Sequence, residues 1–225
     1  MKTSRFTPST LVLRLAETAL ALVLATFAAT TQAGVFSIAG AAGMLADANP
    51  VGLPNTISLT TAETGIIADL NVSIELVPGP NAFLGNDLPW DDLDILISHN
   101  GVTVSLHESQ TSAGPNSDVL FDVTFDDEAG TTLVDLIFAA PFPPLPNALG
   151  SFAPDGGGAL SDFDGMSLAG TWDLTFIENC CSEETILNSW SISGMTAVPA
   201  PGGLMLLVIG LIGLRARGHR NTIGH

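Results

Sequence analysis

The feature that most constrains the fold is a two-residue alternation of apolar and polar side chains, which runs from about residue 54 to residue 194. Alternation of this kind is typical of β-strands with one buried face, and no amphipathic helix of useful length interrupts it. The apolar positions fall into six runs, at residues 70–76, 93–97, 102–106, 119–125, 172–176 and 190–192. The body of the chain is therefore predicted to be all-β.

Turn signals separate these runs, and the strongest is Asn100-Gly101, which lies between two alternating segments. An Asn-Gly pair at such a point is typical of a tight β-hairpin because both residues tolerate positive φ. About eight short strands, each with one buried face, predict two stacked antiparallel sheets that enclose Trp90, Trp172 and Trp190. A closed barrel is the alternative that this pattern does not exclude.

The body also lacks basic residues. No Lys or Arg lies between residues 34 and 198, whereas 22 of the 23 Asp and Glu residues lie there. A surface without cations cannot neutralise phosphates, so the composition excludes nucleic-acid binding as the function. The carboxylates must therefore face water, accept backbone N–H groups or hold metal cations.

The N-terminal segment, residues 1–33, predicts a secretory signal peptide. Three basic residues near the start precede an apolar run at residues 18–28, which small residues follow. Signal peptidase is expected to cut after Ala33 and to leave Gly34 as the first mature residue. A retained membrane anchor is the alternative, although the apolar run is short for a membrane span.

The C-terminal residues 197–225 form a second signal with three parts. These parts are Pro199 and Pro201, an apolar run at residues 204–214, and a basic end that begins with Arg215 and Arg217. Their order resembles the PEP-CTERM sorting signal of exported bacterial proteins, although Ala200 stands where that family has Glu. The resemblance implies a short membrane-inserted helix, processing by an exosortase-type membrane peptidase, and a final location at the cell surface or in the extracellular matrix. A permanent tail anchor is the alternative.

Six segments of the body follow the order and spacing of one family. They are Asp69-Leu-Asn-Val-Ser-Ile, Asp92-Leu-Asp-Ile-Leu-Ile-Ser with the Asn100-Gly101 turn, Phe125-Asp-Asp-Glu-Ala, Leu160-Ser-Asp-Phe-Asp-Gly, Gly170-Thr-Trp-Asp-Leu and Leu187-Asn-Ser-Trp-Ser-Ile. This series resembles the P domain, also called the P/Homo B domain. The resemblance implies a jelly-roll β-sandwich over residues 47–196, preceded by a short extension at residues 34–46. The family commonly follows a subtilisin-like catalytic domain, for which residues 34–46 leave no room.

No catalytic residue is predicted. A serine hydrolase needs a nucleophile, a base His and an orienting carboxylate. The two histidines of the body, His99 at the hairpin tip and His107 just after the returning strand, lie in no nucleophile motif. They are predicted to be solvated surface residues, and the chain is expected not to be an enzyme.

Clusters of carboxylates near strand ends predict a Ca²⁺ site instead. The first cluster is Asp91, Asp92 and Asp94, the second is Asp126, Asp127 and Glu128, and a third pair is Asp162 and Asp164. Like charges this close repel one another unless a cation lies among them, and Ca²⁺ takes six to eight oxygen ligands from loops. The first two clusters are the better candidates because they fall within the P-domain-like segments. A solvated acidic surface is the alternative.

Cys180 and Cys181 are the only cysteines, and they are adjacent. In an exported protein they form a vicinal disulfide, pair two chains or stay reduced, and the sequence does not choose among these states.

These features predict an exported, non-catalytic module with a structural or interaction role. One alternative is an accessory P domain of a subtilisin-like serine endopeptidase system that is encoded separately. A second is a carbohydrate-binding module of an exopolysaccharide matrix, which exposed aromatic side chains would favour. The expected partner is accordingly a surface protein, a protease or a polysaccharide.

Overall fold

Two β-sheets that share one apolar core make up the fold. The computed structural model describes residues 33–45, 52–79, 90–110, 120–139, 147–179 and 185–197. The strands are β1 (Gly34–Ala39), β2 (Gly43–Leu45), β3 (Pro54–Thr61), β4 (Ile67–Pro78), β5 (Leu93–His99), β6 (Val102–His107), β7 (Phe121–Phe125), β8 (Ala148–Phe152), β9 (Gly170–Glu178) and β10 (Thr185–Thr196). An α-helix, α1 (Leu133–Ala139), and two 3₁₀ turns, Trp90–Asp92 and Leu160–Phe163, lie between strands.

The strand order confirms the predicted sandwich. Sheet A has the order β1-β10-β4-β7-β8, with β2 also paired to β10, and sheet B has the order β3-β9-β5-β6. Every pairing is antiparallel except that of β7 with β8. No strand of sheet A pairs with a strand of sheet B within the described ranges, so the alternative of a closed barrel is wrong for them.

The N-terminal strands correct one prediction. Residues 34–46 were expected to be a short extension, yet β1 pairs with β10 over its whole length and β2 continues along the same strand. Phe36 is buried in the shared core, and Ile38 packs against it. The alternation here covers only six residues, and its partner lies 162 residues away at the end of β10, so local pattern did not reveal it.

The β5–β6 hairpin is confirmed. Residues 95–99 of β5 pair with residues 102–107 of β6, and Asn100 and Gly101 form the turn. Both have positive φ, at 49° and 85°, as the type I′ hairpin turn requires. The predicted burial of Trp90, Trp172 and Trp190 is confirmed as well, since none is more than 2% exposed.

Helix α1 was not predicted, because its seven residues are too few to show a helical period. Thr132 and Asp135 cap its start reciprocally: the Thr132 N–H donates to Asp135, and the Asp135 N–H donates to the Thr132 hydroxyl. The crossover that contains α1 lets β8 run parallel to β7. In the described part of the chain, no helix has the length and apolar character needed to cross a membrane.

Candidate functional site

The first acidic cluster forms a largely buried turn. Asp91 is fully buried and Asp92 is 8% exposed, within the 3₁₀ turn that precedes β5. Burial raises the pKa of the Asp92 carboxyl above its ordinary value. Asp94 points outward from β5 and accepts the Ser109 N–H at 2.7 Å. The backbone carbonyl of Asp92 accepts the Asn179 N–H at 3.0 Å, so this turn joins two loops at one end of sheet B.

The second acidic cluster organises the backbone around it. Asp126 accepts the N–H of Glu128 at 2.8 Å, in a local turn. The two carboxylate oxygens of Asp127 accept the N–H groups of Leu160 and Ser161, at 2.9 and 2.8 Å. Asp127 therefore holds the start of the second 3₁₀ turn against the end of β7, and its oxygens already have partners.

The second and third clusters meet at a small cavity that the sequence did not predict. Asp69, Asp127, Glu128 and Asp164 line this acidic cavity, whose volume is about 30 Å³. The pKa of Asp164 is raised, first by burial and then by repulsion from Asp69 and Asp127. The pKa of Glu128 is raised, mainly by a side-chain hydrogen bond with Asp126, with smaller contributions from burial and from repulsion by Asp126 and Asp69. Glu128 and Asp164 therefore both hold their protons more tightly than isolated carboxyls do.

The fit of this cavity to a metal is incomplete. Across the described ranges, no three His, Cys, Asp or Glu side chains are grouped so that they could hold a metal ion. Asp91, Asp92 and Asp94 of the first acidic cluster do not line this cavity. They also do not form a metal-holding group of their own among the described residues. Ca²⁺ binding stays a prediction, and the acidic cavity replaces the separate clusters as the place to test it.

His99 is buried, so its predicted solvent exposure is wrong. Its side chain stacks on the Trp172 indole with ring centroids 3.9 Å apart and planes parallel within 1°. The ring nitrogen Nδ1 lies 2.8 Å from the Thr171 carbonyl oxygen, and Nε2 lies 2.7 Å from that of Ser167. The residue closes the core under the hairpin tip, which the polarity of His alone does not indicate.

His107 is also fully buried, which corrects the same prediction. Its Nδ1 donates to the Asp155 carboxylate at 2.9 Å. That carboxylate also accepts the N–H groups of Glu108 and Val134, so the pair links β6, the β8–β9 connection and α1. His107 Nε2 is buried and meets no hydrogen-bond partner among the described residues. Sequence reasoning missed Asp155, which lies 48 residues away in an unpatterned segment.

The outward faces of both sheets carry hydroxyl pairs between neighbouring strands. On sheet B, Ser58 donates to Asp173 at 2.5 Å, and similar contacts join Thr56 to Thr175 and Thr60 to Thr171. On sheet A, the hydroxyl oxygens of Ser73 and Thr124 lie 2.9 Å apart. These faces are polar, in agreement with the period-two pattern.

An open groove separates the edge of sheet A at β1 from the end of β3 in sheet B. We call it the β1–β3 groove, and its volume is about 560 Å³. Ser37, Ile38 and Ala39 form one wall, and Thr60, Thr61, Ala62, Glu63 and Thr64 form the other. It was not predicted, because neither wall carries a recognisable motif.

The predicted processing sites fall at or beyond the limits of the described chain. Ala33 is exposed, and Gly34 opens β1 with its N–H donating to the Thr196 hydroxyl at 3.2 Å. The remaining predicted positions lie outside the described residues: Pro199, Pro201, Arg215, Arg217, Cys180 and Cys181.

Comparisons with known proteins add little to this geometry. No known family model matches the chain, and no curated protein matches it in sequence. The fold is similar to a solved structure described as a serine protease of Aeromonas sobria, with 16% identity and a TM-score of 0.34. The match covers 74% of this chain and 26% of that one, so this chain spans about a quarter of the protease. A similarity of this size assigns neither a family nor an activity.

Proposed function

We propose that this chain is an exported, non-catalytic β-sandwich module of the P-domain type. Its role is structural or interactive, at the cell surface or in the extracellular matrix. Signal peptidase removes residues 1–33, and an exosortase-type peptidase processes the C-terminal tail.

The placement of the P-domain-like segments supports the proposed family. The segments that begin at Asp69 and Leu187 lie on the adjacent strands β4 and β10. The segments at Asp92 and Gly170 lie on the adjacent strands β5 and β9. The segments at Phe125 and Leu160 meet through the carboxylate of Asp127. Each part of the resemblance thus contributes to the core of one sandwich.

The observation that carries the non-catalytic role is the environment of the two histidines. His107 and Asp155 have the base and carboxylate arrangement of a hydrolase, but the imidazole is fully buried. No Ser or Cys side chain forms a hydrogen bond with its Nε2 within the described ranges. His99 is bound by backbone carbonyls on both sides of its ring. Both residues therefore act as structural links between elements.

The carbohydrate-binding alternative receives less support. Flat sugar-binding surfaces usually rely on exposed aromatic rings. Trp90, Trp172 and Trp190 lie in the core, and Phe138 on α1 is the large aromatic side chain that the described chain exposes. No observation on the described residues favours an accessory role in a protease system.

Two measurements on the same cells test the proposal. After expression in a host that has an exosortase-type peptidase, we expect the protein in the medium or on the cell surface. We also expect that a serine-directed fluorophosphonate does not label it, with a subtilisin-type protease as the positive control. Retention in the cytoplasm would contradict export, and stoichiometric labelling of one Ser would contradict the non-catalytic role.

A further inference from the structure

The edge strands of the sandwich differ in how they are covered. Along β6, the Ser105 N–H donates to the Gly157 carbonyl at 2.8 Å, so the β8–β9 connection covers that edge. Strand β8, at the edge of sheet A opposite β1, is only five residues long and contains Gly150 with a φ of 104°. Strand β1 has β10 on one side, and no strand pairs with its other side in the part of the chain that the structure describes.

The register of β1 shows which backbone groups face outward. The Gly40 N–H donates to the Trp190 carbonyl at 2.9 Å, immediately after the last paired residue of β1. Because hydrogen-bonded and non-hydrogen-bonded pairs alternate in an antiparallel ladder, Ile38 and Phe36 also face β10. The N–H and C=O groups of Val35, Ser37 and Ala39 therefore point to the free edge, where they form a template for another strand. The Val35 side chain is 84% exposed at this edge.

The β1–β3 groove runs beside this edge and gives an incoming chain a second wall. The polar residues Ser37, Thr60 and Thr64 line it, and the exposed Glu63 supplies a carboxylate. No Lys or Arg lies between residues 34 and 198, where 22 acidic residues lie. The field at the groove is therefore negative, and its complement is a cationic ligand.

We propose that the β1 edge and the β1–β3 groove bind an extended peptide segment that carries Lys or Arg, by addition of a strand to sheet A. Backbone hydrogen bonds to Val35, Ser37 and Ala39 hold the segment, and Glu63 pairs with one of its cations. A second copy of this chain is the less suitable occupant, because two acidic bodies repel each other. The inference rests on the proposed interaction role and names the chemistry of the partner.

Three labelled peptides of equal length test the inference with the full-length chain in mild detergent. The first alternates Lys and Val, the second has Glu in place of Lys, and the third keeps every Lys but has Pro at its centre. By fluorescence anisotropy at 0.15 M salt, we expect saturable binding of the first peptide and binding at least roughly tenfold weaker for the other two. Hydrogen exchange should slow at the amides of Val35, Ser37 and Ala39 when the first peptide is added.

Protein variants locate the site. Glu63→Gln removes the carboxylate of the groove, and Glu108→Gln is the matched control at an exposed carboxylate elsewhere. Ser37→Pro removes an N–H that makes no bond to β10. We expect Glu63→Gln and Ser37→Pro each to weaken binding of the Lys peptide by roughly three- to tenfold, and Glu108→Gln to leave it unchanged. If Ser37→Pro does not fold, the site is still tested by the hydrogen-exchange pattern and by the comparison of Glu63→Gln with Glu108→Gln.

Several results would overturn the inference. Equal binding of the two Lys peptides would reduce the interaction to charge alone, and protection outside β1 would place the site elsewhere. Protection of the outward β1 amides in the free chain, with or without dimer formation, would mean that the edge is already occupied. None of these outcomes affects export or fluorophosphonate labelling, so the proposed function is tested separately.

Discussion

At the scale of single residues, the buried carboxyl of Asp92 makes a pH-dependent contribution to stability. Burial raises its pKa, so the native state binds this proton more tightly than the unfolded chain does. Stability is therefore lost as the pH rises from the ordinary Asp value of 3.8 through the raised pKa, and the loss is complete above it. We expect Asp92→Asn to raise the melting temperature at pH 7 and to have almost no effect near pH 3.

Asp122→Asn is the matched control, because Asp122 is exposed on β7. Its effect on the melting temperature should be small at both pH values, within about 0.5 kcal/mol in the free energy of unfolding. An increase in melting temperature for Asp92→Asn that is the same at pH 3 and pH 7 would contradict this explanation. The increase would then not come from removal of the Asp92 charge.

Sequence predicted some single-residue environments and missed others, for a physical reason. The three Trp residues lie on alternating apolar faces, so their burial followed from the pattern. His99 and His107 are polar residues whose burial depends on distant partners, the carbonyl of Ser167 and the carboxylate of Asp155. The acidic cavity likewise joins Asp69 to Asp164, which no local spacing connects.

At the scale of elements, the entry of the chain into sheet A depends on a close approach of backbone to an indole ring. A Cβ atom on Gly40, which follows β1, would lie 2.0 Å from the Trp190 side chain. We expect Gly40→Ala to destabilise the protein by about 1–3 kcal/mol, because the buried ring has no space to move. Urea unfolding followed by tryptophan fluorescence measures the change.

Gly43→Ala provides the matched control in the neighbouring strand β2. A Cβ atom at Gly43 meets its nearest neighbour, a terminal carbon of Ile57, at 3.8 Å, which is an ordinary contact. Its effect should remain within about 0.5 kcal/mol. Equal effects of the two substitutions would show that β1 and β2 contribute to stability without the predicted packing against Trp190.

We propose that Ca²⁺ acts on the turns around the acidic cavity. At fixed high salt, we expect millimolar Ca²⁺ to raise the melting temperature by several degrees, since a hundredfold excess over Kd adds about 2.7 kcal/mol. Mg²⁺ should do less, because it requires near-octahedral geometry and releases water reluctantly. Differential scanning fluorimetry with a chelator control measures both effects.

The choice of variants for this test follows from the hydrogen bonds. Asp127 already binds two backbone N–H groups, so its substitution would disturb the second 3₁₀ turn. The double variant Asp69→Asn with Asp164→Asn removes charge from the cavity, and Asp122→Asn is again the control. We expect the double variant to lose most of the Ca²⁺ shift. Equal shifts with Ca²⁺ and Mg²⁺, or a full shift in the double variant, would identify the cavity as a solvated acidic surface.

Elements with local signals were predictable, and those with distant partners were not. The β5–β6 hairpin follows from Asn100-Gly101, whose two positive φ values few other residue pairs adopt. Strand β1 depends on β10, at the far end of the body, and so was expected to be an extension. Helix α1 spans two turns, which is too short for a periodic pattern.

At the scale of the whole molecule, the separation of charge along the chain is the dominant feature. All six basic residues lie within the two terminal segments, and the sandwich between them carries almost all of the acidic residues. Removal of both terminal segments would leave a body whose like charges repel one another, which favours solubility and association with cations or cationic partners. In the proposed account, processing at both ends would therefore set the charge of the released protein.

The intact mass of the protein, recovered separately from the medium and from membranes, tests the central claim most directly. The account predicts that the released form begins at Gly34 and ends near Pro201, and so lacks every Lys and Arg of the chain. A released form that still contains Arg215 and the residues after it, or one that retains the segment before Ala33, would contradict the account of an exported module processed at both ends.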